Sequence, residues 1–153
     1  MSRMNIDNYW MKKALKQAYF GKKNGEIPIG SILIKDNKII SSSFNSCIKL
    51  CDTSAHAELL AIRKGGKKLK NYRLYYTTLY VTHEPCLMCS AAIISARIYR
   101  LVYGSYSTKK CNFSYFMNLL YIHQIKHHLK DITSGILLSE CSELLKKFFK
   151  KKR

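Results

Sequence analysis

Two short segments hold the side chains best suited to chemistry: His56-Ala57-Glu58 and, thirty residues further on, Pro85-Cys86-Leu87-Met88-Cys89. One imidazole and two thiolates supply three ligands to a zinc ion and leave a fourth tetrahedral position for water, as in a catalytic zinc site. A structural zinc would take a fourth protein ligand, and His83, His123, His127 and His128 show no obvious spacing to provide it. Cys86 and Cys89 are three apart, so on a helix they share a face, and in its first turn the backbone dipole favours their thiolates. Pro85 suits that first turn. His56 and Glu58 are two apart and would diverge in mid-helix, so they converge only at a helix start. Asp52, Thr53 and Ser54 are the candidate caps. A carboxylate beside a metal-activated water can take its proton and pass it to a leaving amine, which makes Glu58 a proton carrier rather than a ligand. Each piece alone has a blander explanation: a structural His, a redox Cys-x-x-Cys, a surface Glu. Their conjunction selects one catalytic zinc per chain on His56, Cys86 and Cys89.

The elements that must position these residues can be read from periodicity. Trp10, Ala14, Leu15, Ala18 and Tyr19 recur at helical spacing, predicting a helix from Asp7 to about Phe20 with Asp7 as its cap. Residues 29–34 and 39–40 around Asp36-Asn37 read as a hairpin. A second helix is expected from about Thr53 or Ser54 to a stop at Gly65-Gly66, a strand at Thr78–Thr82, a third helix from Pro85 to about Ala96, and a strand from Ile98 to Tyr103. The pattern from Ser105 to Asp131 is weak apart from a helical segment at Phe116–Ile122. Leu144, Leu145, Phe148 and Phe149 then predict a final helix over Glu140–Arg153 that ends in a basic run. Strands alternating with helices and no linker or repeat give one layered α/β domain spanning residues 1–153.

With 153 residues, 47% of them hydrophobic, the chain can enclose one sizeable core. Its formal charge of +18, from 27 Lys plus Arg against 9 Asp plus Glu, favours a polyanionic partner, nucleic acid first. The rival explanation is compositional, since Lys, Ile, Asn and Tyr are abundant together as an AT-rich genome would produce. No apolar run approaches the roughly 18 residues of a membrane span, and the polar start predicts a cytoplasmic protein. Cys47, Cys51, Cys111 and Cys141 show no ligand spacing and are read as ordinary small side chains.

With these residues in view, the chain resembles the zinc-dependent cytidine deaminase superfamily, and within it the bacterial tRNA-specific adenosine deaminases. Beyond the zinc motifs the likeness includes Glu26-Ile27-Pro28-Ile29-Gly30, Asn45, Gly65-Gly66, Asn71-Tyr72-Arg73-Leu74, Thr78–Thr82 and the run from Gly135 to Phe149. The resemblance implies a three-layer α-β-α fold with a five-stranded mixed sheet, a homodimer, and Zn2+ on His56, Cys86 and Cys89. It further implies that adenosine 34, in the wobble position of a tRNA anticodon stem-loop, is hydrolysed to inosine, with water attacking C6 while Glu58 moves the protons. Asn45 matches the Asn that holds the substrate base in that family, although Asn is also common in turns. A deaminase of free bases shares the zinc signature but needs no basic surface.

The chain departs from the family after Gly104. Ser105-Tyr106-Ser107 stands where Ala-Arg-Asp is common, and Cys111-Asn112-Phe113-Ser114-Tyr115 replaces a Gly- and Ala-rich loop. Phe148 and Phe149 could stack on bases, but aromatics at helical spacing more often enter the core, with the flanking lysines solvated and some of them touching phosphate.

Overall fold

A computed structural model describes residues Met1–Arg153. Helix α1 (Arg3–Lys23) leads into a hairpin of β1 (Gly30–Lys35) and β2 (Lys38–Phe44), then the short α2 (Cys47–Leu50) and α3 (Ala57–Leu69). The second half runs β3 (Thr78–His83), α4 (Leu87–Ser95), β4 (Arg100–Ser105), α5 (Phe113–Ile122), β5 (Asp131–Thr133) and α6 (Leu138–Lys152). The five strands form one mixed sheet in the order β2-β1-β3-β4-β5. β1 pairs antiparallel with both β2 and β3, while β3, β4 and β5 run parallel. The hairpin turns at Asp36 and Asn37, whose φ angles of 50° and 55° suit a two-residue connection between twisted strands.

Alternation along the strands divides the core into two. Leu33, Leu79, Val81, Leu101 and Tyr103 face one way and pack with Ala61 of α3, Ile93 of α4 and Phe113 of α5. Ile32, Ile34, Tyr80 and Val102 face the other way and pack with Met11, Ala14 and Ala18 of α1 and Cys141 and Leu144 of α6. The sheet therefore lies between α3, α4 and α5 on one face and α1 and α6 on the other, the expected three-layer arrangement.

Three expectations are corrected. Asp7 does not cap α1; Ser2 does, its side chain accepting from the Asn5 N–H. Asp7 is instead almost fully buried, accepting 2.7 Å bonds from both Arg100 terminal nitrogens and from the Tyr80 hydroxyl. The second helix starts at Ala57 rather than Thr53 or Ser54, because Asp52 turns back to accept from Ser54 N and Oγ. It also continues through Gly65-Gly66 to Leu69. Gly65 marks close packing there: a Cβ would run into Leu33 of β1. Strand β5 and helix α2 were not legible, being short and lacking periodicity.

The Asp7 ion pair ties α1 to β3 and β4 from inside the protein. Replacing Asp7 by Ala leaves the Arg100 guanidinium without its buried partner and should lower the free energy of unfolding by about 3–5 kcal/mol, measured by urea titration. Burial by itself raises the Asp7 carboxyl, but the Arg100 and Tyr80 donors outweigh it and hold the group below 3.8. Its contribution is thus present above 3.8 and lost as pH falls through the lower folded value. The stability gap between parent and variant should shrink below about pH 4; a constant gap would refute the ionic origin.

Candidate active site

The four chemical residues come together at two helix starts. His56 is the N-cap residue of α3 and Glu58 lies in its first turn; Cys86 is the N-cap residue of α4 and Cys89 lies in its first turn. This solves the two-residue spacing of His56 and Glu58, since an extended His56 followed by a helical Glu58 lets both side chains reach one point. The α3 start is fixed from outside the helix: the Ala57 N–H donates to Asn45 Oδ1 at 2.8 Å, and His56 makes no capping bond of its own.

His56 Nδ1 lies 3.6 Å from Cys86 Sγ and 3.4 Å from Cys89 Sγ, and the three donor atoms all lie within 4.8 Å of one another. A tetrahedral zinc with Zn–N of about 2.0–2.1 Å and Zn–S of about 2.3 Å sets N···S at about 3.5 Å, so the donors fit that ion. No fourth His, Cys, Asp or Glu joins the group. His83 bonds Ser105 and His128 packs against Tyr75, so neither completes it.

Metal-free electrostatics divide the two thiols. The hydrogen bond from Cys89 lowers Cys86 to about 3, helped by His56, while that same bond and burial push Cys89 up. Hydrogen bonding to Cys86 raises His56 despite burial. Glu58, only 4% exposed, is pushed up to about 7 by loss of solvent.

These groups open into a cavity of about 790 Å³ at the C-terminal ends of β3 and β4. Its walls include Ile27, Ile29, Asn45 and His83, and its rim carries Lys109, Lys146, Lys150 and Arg153. Phe148 is buried, as expected of a core aromatic, whereas Phe149 is 45% exposed and lines the cavity. Sequence reasoning gives Glu84 no role. It is buried and its carboxylate accepts from Ser107 N at 2.9 Å, Ser114 N at 3.3 Å and Ser114 Oγ at 3.0 Å, holding the divergent loop after Gly104. An acidic residue just before Pro-Cys was its only signal.

Comparison with known proteins places the chain in a family. The family described as MafB19-like deaminase matches residues 5–153, and the chain belongs to that family. Within it, the chain is similar to the tRNA-specific adenosine deaminase of Buchnera aphidicola subsp. Schizaphis graminum, with 49% identity over 99% of both chains. It is also 41% identical to the tRNA-specific adenosine deaminase of Haemophilus influenzae, over 99% of this chain and 87% of the relative. A solved structure from a study of A-to-I editing by tRNA:A34 deaminases superimposes with a TM-score of 0.80 at 39% identity, covering 90% of this chain and 99% of the other.

If the three donors hold the metal, Cys86→Ala should reduce metal content well below one equivalent, measured by elemental analysis of purified protein. Full stoichiometry in that variant would place the metal elsewhere.

Proposed function

We propose that this chain is a zinc-dependent hydrolase that converts adenosine 34 of a tRNA anticodon to inosine. The observation that carries the reading is a buried Glu58 beside three metal-spaced donors, at the floor of a cavity whose rim is basic. His56, Cys86 and Cys89 would hold one Zn2+ per subunit, and the ion would supply the Lewis acidity that makes water easier to deprotonate near neutrality. Glu58 takes the proton from the attacking water and gives it to N1 of the purine as oxygen bonds to C6. It then carries the second proton to the exocyclic nitrogen, which leaves as ammonia. Burial raises the Glu58 carboxyl above the ordinary carboxylate range, which suits a group that must hold and then release a proton. Asn45 is proposed to bind the base through Nδ2, since its Oδ1 is occupied by Ala57.

The RNA reading draws on the charge of +18 and on α6, whose Lys146, Phe149 and Lys150 reach the cavity mouth. Cations there suit phosphates, and Phe149 offers a face for an unstacked base. The family resemblance supports a homodimer, consistent with exposed Ile48, Leu50, Tyr72 and Tyr76. No helix is long and apolar enough to cross a membrane. The proposed compartment is the cytoplasm, where the tRNA substrate is found.

Incubation with total tRNA followed by inosine mapping should give inosine at position 34 alone; a protein that instead deaminates only free bases would overturn the reading. Glu58→Gln should keep its zinc and lose about 10²- to 10⁴-fold in turnover, and a loss under about tenfold would show that another group moves the proton. Replacing Lys146, Lys150 and Lys151 together with Gln should weaken stem-loop binding and flatten its salt dependence by about 0.7 in log–log slope for each phosphate no longer neutralised. Turnover at saturating RNA should stay nearly constant. Unchanged affinity and slope would mean that the RNA surface excludes α6.

A further inference from the structure

His83 stands opposite Ser105 at the C-terminal ends of the paired parallel strands β3 and β4. Strand alternation puts both on the sheet face that carries α3 and α4, and the proposed reaction uses neither. His83 Nδ1 lies 2.7 Å from Ser105 Oγ, which in turn lies 3.2 Å from the main-chain oxygen of Thr82. A carbonyl only accepts, so the single hydroxyl proton of Ser105 goes to Thr82. The bond between ring and hydroxyl must then be donated by His83 Nδ1–H. A neutral imidazole with its proton on Nδ1 carries a bare lone pair on Nε2, and that atom has no hydrogen-bond partner within the protein and is not sealed in the core. Burial lowers the pKa of His83; the Glu84 carboxylate pulls the other way but, with Lys109 also lowering it, burial prevails in favour of the neutral ring.

Depth in the cavity indicates what meets this acceptor. Glu58, where the reacting edge of the purine must lie, is buried; Lys109, Lys150 and Arg153, suited to phosphates, are exposed; His83 is half-buried on the wall. The sugar joins base to phosphate, and within a polynucleotide its only free hydroxyl is the 2′-OH. We infer that His83 is a positioning residue whose Nε2 accepts a hydrogen bond from the 2′-hydroxyl of the nucleotide being deaminated, with Ser105 fixing the tautomer. The inference rests on the RNA reading above.

The test is steady-state kinetics on an anticodon stem-loop, all-ribose or with one 2′-deoxy nucleotide at position 34, using the parent chain, His83→Leu and His83→Gln. In the parent, the deoxy substitution should raise KM roughly 3- to 10-fold with little change in kcat, the worth of one hydrogen bond. His83→Leu should raise KM on all-ribose RNA by a similar factor and show no further deoxy penalty. His83→Gln, whose amide oxygen reaches the Nε2 position, should recover most of the loss. Absence of a deoxy penalty in the parent overturns the inference without reference to any variant. It is equally overturned if the penalty persists undiminished in His83→Leu, the result expected were the donor a base amino group. Inosine formation by the parent on all-ribose RNA is the control, and its failure would count against the proposed function itself.

Discussion

The bond from the Ala57 N–H to Asn45 Oδ1 decides where α3 begins, and through that start it decides where His56 and Glu58 are held. Helix α4 begins at Cys86 in a similar extended-to-helical step, so two helix N-termini converge on one point. Both ends carry partial positive charge, and their approach is tolerable only if anionic groups occupy the space between them. Thiolates and a carboxylate are such groups. The backbone thus favours the charge state a metal requires of its ligands, and the hydrogen bonds from Cys89 and His56 that depress the Cys86 thiol act in the same direction.

The floor and the mouth of the cavity are held by different means. Glu58 and Cys89 are set by helix starts packed against the sheet, whereas the segment from Ser105 to Ser114 follows Glu84, whose carboxylate gathers its amides. Ser105-Tyr106-Ser107 is therefore anchored despite its departure from the family pattern. Tyr106 packs edge-on against Tyr103 and its hydroxyl reaches Ser134, so the loop is tied to the core and to the segment before α6.

Much of this was legible in the sequence because the decisive residues are close neighbours in the chain. The three metal-spaced donors and Glu58 occupy two motifs whose geometry follows from spacing, and the long helices and central strands declare themselves by period. What was hidden depends on distant partners. Asp7 looks like a helix cap until Arg100, 93 residues later, is seen to need it. Glu84 and the His83–Ser105 pair acquire meaning only when β3 and β4 lie side by side. Gly65-Gly66 reads as a helix stop until Leu33 fills the space a side chain would take. Strand β5 is three residues long, too short for alternation to register.

Helix α6 reaches the cavity from the opposite face of the sheet to the one that carries the His56-Ala57-Glu58 and Pro85–Cys89 motifs. Its docking is tight, for a side chain at Gly104 would collide with Cys141, yet Lys146, Phe149, Lys150 and Arg153 line the cavity and none of them belongs to the donor set. Under the proposed RNA reading, chemistry and grip are modular. A lineage can rewrite the outward face of one terminal helix and present the same deaminating centre to a differently shaped polynucleotide, with no substitution in the layer that does the chemistry.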